Sequence, residues 1–274
     1  MSDQPFSELI PEGVIGFPVT PFHADYALNL EGFKKNLEVR VLELDNKVMG
    51  RVVSPEVSHF FQKKHQSEGV EFKFNTSITD IEDRGKQKRI IFSDGSFLNT
   101  DVVVIGVGIK PNIELAKSSG LKCDNGILVD DNGQTSDPHI FAVGDCSNHP
   151  NDIFKQRLRL ESVQNAVNQA KTIAASITGN HKPYQEVPWF WSDQYNIKLQ
   201  IAGISKDHDH RVIRGSPEEE KFAVFYLKNN RLIAVDAINS PQEFTIGKKL
   251  IANKAKIAFE LIQKRDFNLR ELIS

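Results

Sequence analysis

The residues best suited to chemistry fall in five short stretches, each fit to hold a sugar, a phosphate or a flat ring. Glu43, in Val41-Leu42-Glu43, ends a short alternating strand. In a dinucleotide-binding βαβ unit a carboxylate at that place accepts hydrogen bonds from the adenosine ribose and repels a 2′-phosphate. Gly106 and Gly108, in Gly106-Val107-Gly108-Ile109-Lys110-Pro111-Asn112, follow an apolar run and let backbone come close to a ligand. Gly144 and Asp145 close the string Thr135-Ser136-Asp137-Pro138-His139-Ile140-Phe141-Ala142-Val143-Gly144-Asp145. Open α/β sheets bind ligands at the carboxyl ends of their strands, where such an acid can hold a polyol hydroxyl. Glu161-Ser162-Val163-Gln164-Asn165-Ala166 opens a long helix, whose first N–H groups face an electron-rich atom. Pro188-Trp189-Phe190-Trp191-Ser192-Asp193-Gln194-Tyr195 holds both tryptophans and can wall an aromatic ring by stacking. Taken singly, each stretch also admits a plain reading as a surface charge, a turn, a cap or a core aromatic cluster.

The elements that must position these residues are legible from period and punctuation. An alternating strand covers 39–44. Ser54-Pro55-Glu56 starts a helix with Val57, Phe60, Phe61 and His65 inward and Gly69 at its end. Strands follow at 70–74, 79–82 and 88–92, with Ser93-Asp94-Gly95 as a turn. Asp101 to Gly106 and Ile140 to Val143 are continuous apolar runs, as expected of buried parallel strands. A short strand is expected at 127–129. Leu160 to Thr178 carries Val163, Ala166, Val167, Ala170, Ile173, Ala174 and Ile177 at helical spacing, closed by Gly179. After Pro183 strands are expected at 198–202, 211–214, 222–227 and 231–239, with Asn229-Asn230 as a hairpin turn, then one helix over 246–262. The order is α/β followed by a small antiparallel β-plus-helix module.

Composition narrows the partners. With 39% hydrophobic and 26% charged residues the chain is of ordinary globular make-up, and a formal net charge of -2 gives no basic surface excess for nucleic acid or a membrane. No apolar run of spanning length and no leader pattern occurs, so a reduced, cytoplasmic setting is expected. The two cysteines, Cys123 and Cys146, form no C-x-x-C, which disfavours a disulfide framework, a zinc site and a redox dithiol of that type.

In this order and spacing the five stretches resemble the putidaredoxin reductase and rhodocoxin reductase family. The likeness runs from about Val39 to Ser274, with Thr135 to Cys146 and Pro188 to Tyr195 its most specific strings. It implies incomplete FAD/NAD(P)-binding Rossmann-like domains followed by a small α+β reductase domain. It also implies an FAD-dependent oxidoreductase that passes electrons from NADH to a ferredoxin-type iron–sulfur protein. Glu43, with Arg51 near it, would meet the NADH adenosine ribose, and Gly106 and Gly108 would line the cofactor passage. Gly144 and Asp145 would bind the FAD ribityl chain. Glu161, Ser162 and Val163 would edge the isoalloxazine, with Glu161 also near the nicotinamide, and Trp191 would face the flavin. Electrons would leave singly to the external iron–sulfur centre, which needs no protein dithiol and no resident metal. Lys155, Arg157 and Arg159 suggest part of a docking patch for an acidic ferredoxin, or a solvated basic loop.

The implied division is a first segment over 1–38, part of an NADH-binding domain over 39–112, part of an FAD-binding domain over 113–185 and the reductase domain over 186–274. Neither G-x-G-x-x-G phosphate turn of that family is present. Residues 13–38, above all Phe17-Pro18-Val19-Thr20-Pro21-Phe22, instead resemble the opening strand and helix of the dihydrodipicolinate synthase and 5-dehydro-4-deoxyglucarate dehydratase barrels. A helix over 30–37 would run almost directly into the strand at 39, where about 2–6 connecting residues are usual, which suggests a junction at 36–40. One βα unit cannot form a barrel active site, so lyase activity is not expected. The alternative to a reductase is a truncated, non-catalytic remnant or binding module.

Overall fold

A computed structural model describes residues 38–264 and 267–272. The segment likened to the dehydratases and the helix expected over 30–37 lie outside the described residues. The chain divides at residue 108 into two compact units.

In the first unit, strand β1 (Arg40–Leu42) leads through a turn into helix α1 (Pro55–Ser67) and strand β2 (Glu71–Lys73), which pairs parallel with β1. The Ser54 hydroxyl caps α1 by accepting from Val57 N at 3.3 Å, and Pro55 follows at the first helical position, where its missing N–H costs nothing. Val57 and Phe61 are fully buried, while Phe60 and His65 are half-buried. Strands β3 (Ile78–Asp83), β4 (Lys88–Phe92) and β5 (Phe97–Thr100) form an antiparallel sheet in that order. Strand β5 was not anticipated, although the Ser93-Asp94-Gly95 turn demands a partner beyond it.

The run 101–106 corrects the sequence reading. It forms no strand and joins no ladder among the described residues, and Val104 and Ile105 are 39% and 66% exposed. Apolar β-branched residues make a buried strand only where neighbouring strands cover them, and no described strand does.

The second unit begins with helix α2 (Glu114–Ser118) and strand β6 (Ile127–Leu128). A single 3-10 turn at Gly144–Cys146 leads into β7 (Ser147–Asn151), which pairs parallel with β6 and antiparallel with β8 (Gln156–Leu158). The expected strand at 140–143 is reduced to one bridge, between Phe141 and Gln134, because no described strand lies alongside it.

Helix α3 (Val163–Ile177) carries Ser162 as its N-cap, accepting from Asn165 N at 3.2 Å. Its inward face also differs from the reading. Gln164, Asn165, Gln169, Ile173 and Ser176 are buried, while Val167, Ala170, Ala174 and Ile177 are exposed.

Five antiparallel strands then build one sheet in the order β11-β12-β13-β10-β9. They are β9 (Trp189–Gln194), β10 (Ile197–Gly203), β11 (His210–Ser216), β12 (Lys221–Lys228) and β13 (Arg231–Ile238). Asn229 and Asn230, both at positive φ, make the β12–β13 hairpin turn, as their types require. Helix α4 (Pro241–Ala252) packs Ile246, Leu250 and Ile251 onto Ala223, Phe225, Val235 and Ala237 of that sheet. The expected single closing helix is broken. α4 ends at Asn253, Lys254 takes φ 51°, Lys256 bridges Arg231, and helix α5 (Phe259–Gln263) resumes. Ile257 N donates to Asn230 O at 2.6 Å, so the sheet captures backbone that a continuous helix would have kept. No helix among the described residues is long and apolar enough to cross a membrane.

Candidate functional site

In the first unit Glu43 sits one residue past β1. Its N–H donates to Lys73 O at 3.0 Å and its carbonyl accepts from Thr76 N at 3.0 Å, so both backbone groups are fixed by the chain beside it. The carboxylate accepts from Asp45 N at 3.1 Å, an anchor that still leaves acceptor capacity for a hydroxyl pair. Arg51 is exposed, Gly106 half-buried, and Gly108 exposed at φ 97°.

In the second unit the structure brings five of the expected residues, Gly144, Asp145, Glu161, Ser162 and Val163, into one arrangement. Gly144 adopts φ 74°, and a Cβ there would lie 3.3 Å from the Ala166 methyl on α3, so the 3-10 turn and α3 meet at van der Waals distance. Asp145 follows, exposed, and among the described residues its carboxylate has no hydrogen-bond partner. Its carbonyl accepts from Arg159 Nη1 at 3.1 Å, and the same Nη1 lies 2.8 Å from Glu161 Oε1. Arg159 Nε donates to Asn125 Oδ1 at 3.2 Å, and Gly126 (φ 126°) clears the space where a Cβ would come 3.0 Å from the Arg159 Cδ. One guanidinium therefore ties the Asp145 turn to the residue before the α3 cap. Ser162 and Val163 are half-buried at the head of α3. The helix touches both the Gly144 turn and β9.

Strand β9 presents a half-buried Trp191 opposite Gln200 of β10. Its ring centroid lies 5.4 Å from that of Trp189, which packs edge-on against Phe244 of α4 at 5.7 Å. The indole is thus braced from behind by core aromatics. Two of the three cations of the basic run are engaged with backbone beside them. Arg157, although exposed, donates to the carbonyls of Val129 and Asn148, Arg159 is engaged as described, and Lys155 is exposed.

Sequence reasoning missed a buried polar network beneath this turn. Gln169 Oε1 accepts from Gly144 N at 2.7 Å and from the Ser147 hydroxyl at 2.9 Å, and its Nε2 lies 2.9 Å from His149 Nδ1. The Tyr184 hydroxyl donates to Asn165 Oδ1 at 3.1 Å and accepts from Gln164 Nε2 at 3.2 Å. Burial, with the Arg157 charge adding to it, pushes the His149 pKa down to about 4. Burial likewise pushes Tyr184 up to about 12. The available signal was the polar spacing Asn165, Gln169, Ser176 along α3. Both cysteines are free and half-buried.

Comparison with known proteins fits this geometry. The family described as pyridine nucleotide-disulphide oxidoreductase matches residues 13–170. The family described as reductase C-terminal matches residues 189–273. Putidaredoxin reductase of Pseudomonas putida is 38% identical over 244 residues, covering 88% of this chain and 58% of that protein. Rhodocoxin reductase of Rhodococcus erythropolis is 38% identical over 242 residues, covering 88% and 57%. A solved ferredoxin reductase from Rhodopseudomonas palustris matches with TM-score 0.86 at 39% identity, over 95% of this chain and 64% of that one. The solved covalent complex of putidaredoxin reductase with putidaredoxin matches with TM-score 0.85 at 36% identity, over 97% and 64%. The chain thus spans 57–58% of the length of these two curated relatives.

Proposed function

The chain belongs to the pyridine nucleotide-disulphide oxidoreductase family, and from that premise we propose that it passes electrons from NADH through FAD to a ferredoxin-type iron–sulfur protein. The relatives named as ferredoxin and putidaredoxin reductases support the reaction class. One observation carries the reading for this chain: the Arg159 guanidinium joins the Asp145 turn to Glu161 at the head of α3, the helix that also touches the strand bearing Trp191.

These residues fit the ribityl and ring end of FAD. An exposed carboxylate with no partner among the described residues suits a chain of hydroxyls, and the Cβ-free backbone at Gly144 lets its turn pack close against the head of α3. Helix N–H groups near Ser162 and Val163 suit an electron-rich ring edge, and a braced indole suits a flat ring face. Bound there, FAD would supply the conversion of a two-electron hydride donor into single electrons. Asp145 would bind and orient, Glu161 would be held in place by Arg159 toward the nicotinamide side, and Trp191 would exclude water from the ring face. In the first unit, Glu43 and Arg51 would take the adenosine ribose of NADH, and Gly106 and Gly108 would line its passage. We accordingly assign 39–112 to NADH binding, 113–185 to flavin binding and 186–274 to the reductase domain.

The direct test is equilibrium titration of purified protein with FAD, followed by quenching of flavin fluorescence. Uptake is expected, and Asp145→Ala should weaken it about tenfold, the loss of one or two hydrogen bonds. Protein that takes up no FAD would sink the reductase reading in favour of a non-catalytic binding module.

Nucleotide choice tests Glu43 separately. Glu43→Gln keeps an acceptor for Asp45 N but removes the charge. NADH binding should weaken about tenfold, while NADPH binding holds or improves, in titrations of nicotinamide fluorescence. Equal losses for both nucleotides would argue against a ribose role.

A further inference from the structure

We propose that Gln169 is the positioning residue of the Gly144–Asp145 turn, and that His149 fixes the orientation of its carboxamide. The value of that turn for FAD rests on the function proposed above; the positioning itself does not.

Gly144 opens a single 3-10 turn, so its N–H has no partner within the turn. It is buried, and Gln169 Oε1 takes it up at 2.7 Å from across the unit. The same oxygen receives the Ser147 hydroxyl at 2.9 Å and Asn165 Nδ2 at 3.4 Å. The Gly144 N–H can only donate, so the reversed amide would set NH2 against it and only one orientation satisfies it, while the Ser147 hydroxyl, also 2.9 Å from Gly144 O, can serve either acceptor. That orientation sends Nε2 to His149 Nδ1 at 2.9 Å, which makes Nδ1 an acceptor and leaves the ring proton on Nε2. His149 is 1% exposed and packs edge-on to Tyr184, with ring centroids 5.2 Å apart, so the ring has no room to turn. Its low pKa, set by burial and the Arg157 charge, agrees with a ring kept neutral. The relay runs from imidazole to amide to the N–H immediately before Asp145, and no part of it touches the exposed face where Asp145 lies.

Two variants separate positioning from plain structural support. Gln169→Leu removes the acceptor. Gln169→Glu keeps it for Gly144, Ser147 and Asn165 but turns the second atom into an acceptor, which His149 can meet only with a proton on Nδ1. In wild-type protein, nitrogen NMR of the imidazole is expected to show the neutral Nε2–H form, and hydrogen exchange at the Gly144 amide should be slow. In Gln169→Leu that exchange should rise about tenfold or more, while Val224 and Phe225 in the central sheet stay as slow as in wild type. Gln169→Glu should restore slow exchange at Gly144 and move the His149 proton to Nδ1. FAD affinity should fall about tenfold in Gln169→Leu and recover in Gln169→Glu.

An unchanged Gly144 exchange rate in Gln169→Leu, acceleration spread equally over the sheet, or an Nδ1–H imidazole in wild-type protein would each overturn the proposal. The expected exchange and tautomer pattern in a protein that takes up no FAD would support the positioning and overturn the flavin reading instead.

Discussion

Gly203→Ala is expected to destabilise the second unit by about 3–5 kcal/mol and to lower its melting temperature by about 10 °C. Gly203 ends β10 at φ 81°, in the region where an L-residue is strained by about 1–2 kcal/mol before any contact is counted. A Cβ there would meet Ile233 O at 2.0 Å and Ala234 Cα at 2.9 Å. Both are backbone atoms of β13, the strand paired with β10, so relief requires the central pairing itself to open. The Gly203 N–H also donates to Pro188 O at 2.8 Å, which seats the start of the tryptophan strand. Thermal unfolding followed by circular dichroism and by tryptophan emission checks this, since Trp189 and Trp191 both lie on the adjoining strand. Gly95→Ala in the first unit is the control. There φ is 80° but nothing lies within 4 Å of the new carbon, so only the conformational strain of about 1–2 kcal/mol applies. A Gly203→Ala midpoint within about 2 °C of wild type would refute the clash.

Acid should destabilise the same unit through His149. Its folded pKa, about 4, lies below the ordinary imidazole value of 6.5 expected for the unfolded chain. As pH falls through 6.5 the unfolded chain takes up a proton that the folded protein refuses, so stability drops. The loss continues until pH reaches about 4, where the folded ring also protonates, and then levels off. At 1.36 kcal/mol per pKa unit the whole window amounts to about 3 kcal/mol, a large part of the roughly 5–15 kcal/mol that holds a domain together. The measurement is a difference between two proteins that share every other titrating group. Denaturant unfolding of wild type and His149→Gln is compared between pH 7.5 and 4. Glutamine can still accept from Gln169 but carries no titrating proton. The variant should lose about 3 kcal/mol less than wild type over that span. Parallel pH curves would show that His149 is not held neutral.

Much of the architecture was legible because the cues were local. Ser54-Pro55 marks a helix start and Asn229-Asn230 a hairpin, since each depends on the conformational range of the residues themselves. Residues 101–106 and 140–143 were misread because burial is a property of neighbours. Val104 and Ile105 have the side chains of an inner strand but no described strand beside them. The closing helix was read through its break because 253–258 contains no Gly or Pro, and the bond that stops it comes from Asn230, far back in the chain. The inward face of α3 was misjudged for a related reason. An apolar stripe is expected to face the core, yet here the buried stripe is amide-bearing, and only the His149 network explains why it is tolerated. Within the candidate site, Asp145, Glu161 and Trp191 were identifiable as residue types in a string. That Arg159 links the first two could not be read from spacing, because it was counted among surface cations.

The amide-bearing seam of α3 also constrains assembly. A greasy helix can slide along its bed by a residue at small penalty, since one methyl group replaces another. Gln164, Asn165, Gln169 and Ser176 each have a named partner at one depth only: Tyr184, Leu160 O and Tyr184, Gly144 and His149, and Asn132. Any slip would strand several of these groups without partners, at about 1–3 kcal/mol apiece. The seam therefore acts as an index mark during folding. It sets the depth at which α3 docks, and with it the place where the residues at its head come to rest.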